Sequence, residues 1–302
     1  MSVLVVGSVA LDSVETPFGA RDEILGGSAT YFSMAASFFA PVQLVAVVGE
    51  DFPAAYVELL QRKGVDLAGL VRRPGRTFRW KGRYSHHLNE AQTLDTQLNV
   101  FEHFEPQLPE SFRATPFVFL GNIDPVLQAK VLDQVRRPTL VAADTMNFWI
   151  RGKLPELKKT LARVDLLFVN DAEARELSGE YNLVRAAEKI KAMGPPMLVI
   201  KRGEYGVIQF SADSVFAVPA FPLEEVFDPT GAGDSFAGGF MGELARSGDT
   251  SEAGLRRAIV YGSVVASFVV EDFGMNRLRS VSKEEIDRRY RQFVALTDID
   301  GA

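Results

Sequence analysis

Six short runs of apolar and β-branched residues, at 3–6, 43–48, 117–120, 139–142, 166–169 and 197–200, are bounded by turn residues and predict buried strands. They alternate with segments that can be helical, among them 52–63, 125–136, 173–177 and 182–193. Such alternation predicts an α/β fold with a mainly parallel sheet covered by helices on both faces. Ligands of these sheets bind beyond the carboxyl ends of the strands, and Asp12, Asp144 and Asn170 are all expected to emerge there.

Between 76 and 101 the period changes to two. Phe78, Trp80 and Tyr84 share one face of a predicted strand, and Thr77, Arg79, Lys81, Arg83 and Ser85 the other; Leu94, Thr96, Leu98 and Val100 repeat the alternation in a second strand. These segments predict a separate small antiparallel sheet, with strands drawn from about 14–25 and 76–101. Its apolar face must cover a substrate pocket or a second copy of itself, so a lid and a homodimer contact through that lid are both expected. The aromatic face suits lid core or a dimer contact, or it sandwiches a nucleobase. The basic face either meets a carboxylate or phosphate on an acidic substrate or, more often in such strands, is a solvated surface that discourages edge pairing.

Two segments near the C-terminus carry small residues at helical spacing: Gly238 and Gly242 in a helix over 233–246, then Gly254, Ala258, Gly262 and Ala266. Each helical Gly costs roughly 1 kcal/mol, so the stripe is read as close helix packing rather than a cofactor surface.

The 302 residues are 47% hydrophobic and 24% charged, which predicts one globular domain over 1–302. A net charge of -6 argues against nucleic acid as the main partner. The absence of cysteine excludes disulfides, thiolate metal sites and a Cys nucleophile, and fits a cytoplasmic protein. His86, His87 and His103 lie too close together in an extended region to suggest a metal cage. The first residues read as a buried strand rather than a signal peptide. The longest apolar run, 258–270, is about two-thirds of a bilayer span, so no membrane segment is expected.

Candidate chemistry concentrates at Asp228-Pro229-Thr230-Gly231-Ala232-Gly233-Asp234-Ser235-Phe236. Gly231 and Gly233 let the main chain turn with its N–H groups pointing one way, and a helix beginning there adds unpaired donors and a positive dipole end. Phosphate oxygens suit such a nest. A carboxylate within it, Asp234, makes chemical sense as a base that takes a proton from an attacking hydroxyl, although Asp also caps helices for reasons unrelated to chemistry. There is no Gly-x-x-x-x-Gly-Lys-Ser/Thr loop, and no Gly-x-Gly-x-x-Gly opens a helix after a strand.

Gly7 with Asp12, Gly26-Gly27 before a helix, Asn170-Asp171-Ala172-Glu173, Lys201-Arg202-Gly203-Glu204-Tyr205-Gly206 and the 228–236 string occur in one order that resembles the PfkB or ribokinase-like carbohydrate kinases. The resemblance spans nearly the whole chain. It implies a ribokinase-like three-layer αβα sandwich with a small β lid, and ATP-dependent phosphorylation of a hydroxyl on a sugar or sugar-like molecule, with nucleoside phosphorylation as the alternative. Asp234 would be the base, and the amides of Gly231, Ala232 and Gly233 the anion hole. Asn170 and Glu173 would organise Mg²⁺ through waters, although Glu173 is also a favourable helix-start carboxylate. Lys201, Gly203, Gly206 and Thr230 would contact ATP, although a tight turn between strands also explains the two glycines. Asp12, Gly26, Gly27, Tyr31 and Asp144 would hold the acceptor, and Asp228 would lie near a K⁺ site. Many relatives carry Asn where this chain has Tyr31, whose ring can stack and whose hydroxyl can bond. A non-catalytic sugar-binding relative would show a damaged carboxylate or anion loop, whereas Asp234, Gly231 and Gly233 are intact.

Overall fold

A computed structural model describes residues 1–86, 88–212 and 214–298. In chain order the strands are β1 (Val3–Val6), β2 (Ala10–Thr16), β3 (Gly19–Gly26), β4 (Val42–Gly49), β5 (Val65–Arg73), β6 (Phe78–Tyr84), β7 (Ala91–Gln97), β8 (Phe117–Leu120), β9 (Leu140–Asp144), β10 (Leu166–Asn170), β11 (Met197–Lys201), β12 (Val207–Phe210) and β13 (Val215–Val218). The helices are α1 (Ser28–Ala36), α2 (Ala54–Arg62), α3 (Pro125–Leu132), α4 (Asn147–Gly152), α5 (Leu154–Leu161), α6 (Asp171–Ser178), α7 (Leu183–Lys191), α8 (Ala232–Ser247), α9 (Glu252–Val269), α10 (Asn276–Ser280) and α11 (Lys283–Thr297).

Nine strands form one sheet in the order β13-β12-β11-β10-β9-β8-β1-β4-β5. The strands from β11 to β5 run parallel, and β12 runs antiparallel to its neighbours β11 and β13. Alternate residues of the central strands feed two separate cores. Val3, Val5, Phe117, Phe119 and Phe168 pack with Phe32 of α1, Phe240 of α8 and Val264 of α9. Leu4, Val6, Val118, Leu120 and Val169 pack on the other side with Leu157 of α5 and Ile190 of α7. Burial on both faces is why these strands read as continuous apolar runs, and the result is the expected helix–sheet–helix sandwich. Strand order reverses about β1, with β4 on one side and β8 on the other, which opens a crevice beyond their carboxyl ends.

The α1, α8 and α9 helices lie close, as the small residues predict. A Cβ on Gly238 would fall 2.4 Å from Phe32 O, and one on Gly262 would fall 2.7 Å from Phe236 O. Gly254 instead faces the preceding turn, at Asp249.

The smaller sheet has the order β3-β2-β6-β7. Both hairpins are antiparallel, but β2 pairs with β6 in parallel, because two hairpins from separate parts of the chain lie side by side. The expected alternation over 94–100 breaks at Gln97. Strand β7 is exposed along its length, Asn99 adopts φ +50°, and Val100 turns into the core of the large sheet. Strand β12 follows the Gly203–Gly206 turn, the strand-to-strand turn open from the sequence, whereas β5 and β13 have no counterpart among the expected strands: β5 is a half-exposed edge strand with polar residues and Gly69, and the β12–β13 hairpin is short. Among the described residues no helix is long and apolar enough to cross a membrane.

Candidate active site

Helix α8 begins at Gly231, whose φ of +74° is the left-handed conformation that favours Gly. The ring of Tyr31, on α1, lies flat against it: a Cβ on Gly231 would be 2.3 Å from Tyr31 Cγ and Cδ1. Asp228, with 0% of its surface exposed, accepts from Thr230 N at 2.9 Å and from Gly274 N at 2.8 Å, so it ties this turn to the 271–275 segment. The amide of Ala232 donates to Pro229 O at 3.1 Å, which corrects its expected place among the anion-binding donors. The amides of Gly231, Gly233 and Asp234 make no hydrogen bond to the described residues. These three, rather than 231–233, are the open donors.

Asp234 lies in the first turn of α8. Burial, then Asp144, pushes its carboxyl up to about 7 against the pull of Lys201. Lys201 ends β11 and Asp144 ends β9, and Lys201 Nζ donates to Asp144 Oδ2 at 3.0 Å. Burial lowers the ammonium of Lys201, but Asp144, Glu173 and Asp234 together hold it above its ordinary value. Asn170 ends β10 and caps α6: its Oδ1 accepts from Glu173 N at 2.8 Å, and Glu173 Oε2 accepts from Asn170 N at 2.7 Å. The pair therefore forms a reciprocal capping box, the structural use open to Glu173 from the sequence. Its carboxyl is nonetheless pushed up to about 7 by burial and Asp144. Asp144, Asn170 and Lys201 thus emerge together at the carboxyl edge, as expected for the first two.

Asp12 arrives differently. It lies within β2 of the smaller sheet, not at the end of β1, which corrects the expected placement. The reason is the short 7–9 connection, which carries the chain straight from the large sheet into the small one. Gly26 makes room for its carboxylate, since a Cβ there would fall 1.9 Å from Asp12 Oδ2, and Gly27 N donates to the same oxygen at 3.3 Å. Burial raises the Asp12 carboxyl to about 7, helped by Asp228 and Asp234 and opposed by the Gly27 amide. Tyr31, expected to stack on the acceptor or bond it through its hydroxyl, is 1% exposed, and its ring fills the space that the absent Gly231 side chain leaves; its buried hydroxyl makes no hydrogen bond to the described residues.

On the smaller sheet Trp80 pairs with Asp12 across the β2–β6 ladder, so both side chains occupy one face. The indole lies over Gly82, where a Cβ would be 2.1 Å from it, and Trp80 Nε1 donates to Thr93 Oγ1 at 3.2 Å. Further along that face Tyr84 Oη accepts from Thr230 Oγ1 at 3.3 Å. Nothing in the sequence pairs those two residues beyond the alternation that turns Tyr84 inward. Phe78 stacks on Phe101. On the opposite face Arg79 binds Glu23 at 2.7 Å and Asp51 at 2.8 Å, and Arg83 binds Glu15 at 2.9 Å, so both guanidinium groups are already paired within the protein. Gly203 and Gly206, with φ of +54° and +83°, form the turn between β11 and β12, and Asn89 from the β6–β7 connection reaches Glu204 at 3.5 Å. Among the described residues no group of three or more His, Asp or Glu is arranged to hold a metal ion directly; His87 lies outside the described residues.

A doubly wound sheet whose carboxyl edge gathers open amides, a helix dipole and a carboxylate is the layout of a small-molecule phosphotransferase. The family model described as pfkB family carbohydrate kinase matches residues 21–280. A cytidine kinase of Thermococcus kodakarensis is 30% identical over 267 residues, covering 85% of this chain and 95% of that protein. Two solved structures share the fold. One is a nucleoside kinase of Burkholderia thailandensis in complex with inosine, with a TM-score of 0.81, 18% identity and coverage of 97% of this chain and 99% of that one. The other is an aminoimidazole riboside kinase of Salmonella enterica complexed with aminoimidazole riboside and an ATP analog, with a TM-score of 0.76, 22% identity and coverage of 96% and 100%. The chain belongs to the PfkB family of carbohydrate kinases. It is an ATP-dependent kinase that phosphorylates a hydroxyl of a sugar or sugar-like small molecule.

Proposed function

We propose that the acceptor is a nucleoside, with Asp234 as the base that deprotonates its attacking hydroxyl. The observation that carries the choice over a simple sugar is the pairing of Asp12 with Trp80 on one face of the smaller sheet. A carboxylate suits ribose hydroxyls, and a neighbouring half-exposed indole, tethered through its Nε1, suits a flat base. The names of the relatives, a cytidine kinase and kinases crystallised with inosine or aminoimidazole riboside, agree with that chemistry.

The open amides of Gly231, Gly233 and Asp234 would receive the moving phosphoryl group, whose charge spreads over three oxygens and rewards positioned donors. Lys201 and the Gly203–Gly206 turn would lie along ATP. Asp144, Glu173 and Asp234 crowd one ammonium, so a divalent cation beside them would relieve their repulsion and fits the site. Asn170 and Glu173 would hold Mg²⁺ through its waters, and the ion would neutralise charge on the phosphates. Asp228, wholly buried and raised by that burial, suits a neighbouring K⁺. The smaller sheet would act as a lid, and its open β7 edge would be the dimer contact.

Measuring ATP consumption with a panel of nucleosides and free sugars tests the reading. Nucleosides are expected to give the higher kcat/KM, and Trp80→Ala to lower it for nucleosides by about 10-fold or more while leaving ribose unaffected. Equal loss with ribose and nucleosides would defeat it.

A further inference from the structure

Among the described residues three side chains brace the 228–233 turn, and one of them belongs to the smaller sheet. Asp228 grips the amides of Thr230 and Gly274, and Tyr31 props Gly231; neither Asp228 nor Tyr31 is on the smaller sheet, although the Phe273–Gly274 segment packs against Arg21 and Ile24 of its outer strand β3. The third is Tyr84, the last residue of β6, which meets Thr230 Oγ1 at 3.3 Å. Thr230 itself is buried, and its amide is the one that Asp228 Oδ1 fixes, so the Tyr84 contact bears on a residue already held at its other end. The phenol of Tyr84 sits among Asp228, Asp12 and Asp234, and burial with these three carboxylates keeps it protonated and able to share a hydrogen bond. On the same hairpin Asn89 meets the Gly203–Tyr205 turn. One hairpin therefore touches both the anion-binding turn and the turn on the nucleotide side.

We infer that Tyr84 is a positioning residue: through Thr230 it couples the seat of the smaller sheet to the geometry of the open amides at 231, 233 and 234. The inference rests on the proposed roles of that turn and of the lid. With the sheet seated, the Thr230–Tyr84 bond holds the turn in the conformation that receives the phosphoryl group. With the sheet displaced, the bond is lost and the turn keeps the contacts of Asp228 and Tyr31. Chemistry is thereby tied to an acceptor enclosed from water, and phosphoryl transfer to water is disfavoured when the sheet is away.

The test compares wild type, Tyr84→Phe, Thr230→Val and the double variant with Mg-ATP and the acceptor giving the highest turnover in the panel above. The Phe variant keeps the ring and its packing and removes only the hydroxyl. It is expected to lower kcat about 3- to 10-fold, leave the acceptor KM within about twofold, and raise the ADP formed per phosphorylated acceptor. The double variant is expected to be no slower than Thr230→Val alone, because both remove one bond. Hydrogen exchange of the ligand-free Phe variant is expected to quicken at 228–235 while 78–84 stays as in wild type. Wild-type turnover in Tyr84→Phe, multiplicative losses in the double variant, or quickened exchange spread equally over 78–84 would overturn the coupling. Failure of the underlying site reading shows separately, as full activity in Asp234→Asn.

Discussion

Replacing Gly231 by Ala perturbs the start of α8 in two ways that the structure lets one size separately. The backbone there has φ +74°, which costs an L-residue with a side chain roughly 1–2 kcal/mol. The added methyl would lie 2.3–2.4 Å from three atoms of the Tyr31 ring, where ordinary contact begins at 3.4 Å, so the ring or the turn must give by about 1 Å. Tyr31 is enclosed in the core, and overpacking of this kind costs about 1–3 kcal/mol. The sum is a loss of about 2–5 kcal/mol, measurable as a fall in the urea midpoint at unchanged slope. If the turn yields instead of the ring, the open amides shift by a similar distance and kcat is expected to fall about 100-fold. Tyr31→Ala in the Gly231→Ala background separates the terms: it removes the contact but not the backbone cost, so the two substitutions should couple by about 1–3 kcal/mol. Stability within about 0.5 kcal/mol of wild type, together with wild-type kcat, would refute both the conformation and the packing reasoning.

Gly26→Ala places a methyl 1.9 Å from Asp12 Oδ2, and is expected to raise the acceptor KM by about 10-fold or more with a smaller change in the KM for ATP, read by steady-state kinetics. Stability should also depend on pH with a definite sign. Asp12, Glu173 and Asp234 are each raised to about 7 in the folded protein, so between about pH 4 and about pH 7 the native state binds more protons than the unfolded one. Their stabilising contribution is present at the acid end and is lost as pH rises through 7; the Tm of the ligand-free protein should fall over that range, and a rise would contradict the shifts. Lys201→Met leaves Asp144, Glu173 and Asp234 without their ammonium and is expected to cost about 3 kcal/mol near pH 8 in chemical denaturation, and less near pH 5, below the raised values of Glu173 and Asp234.

The large sheet was legible because its central strands are buried on both faces and announce themselves as apolar runs. Strand β5 was not, since an edge strand with Gly69 and exposed polar residues carries no such run. The hydrophobic positions Leu98 and Val100 continued the alternation of β7 on paper. In the folded chain the turn at Asn99 sends Val100 into a different core, a tertiary outcome that periodicity alone cannot distinguish. In the site, the motif residues Asp144, Asn170 and Lys201 converge because consecutive parallel strands deliver their ends to one edge, and Asp234 joins them from the first turn of α8. The roles of Tyr31 and Tyr84 were hidden for a shared reason: each acts on the 228–233 turn from some 150 to 200 residues away, Tyr31 through the space left by a missing side chain and Tyr84 through a single hydroxyl. Gly274 is subtler still, contributing only a backbone amide to Asp228.

The role of Asp234 is decided most directly by the turnover of Asp234→Asn, measured with saturating Mg-ATP and the best acceptor of the panel while ATP affinity is followed by calorimetry. Loss of a base predicts a fall of roughly 10²- to 10⁴-fold in kcat with ATP binding retained. Turnover equal to wild type, with ATP bound as before, would show that proton removal at the acceptor hydroxyl does not depend on this carboxylate.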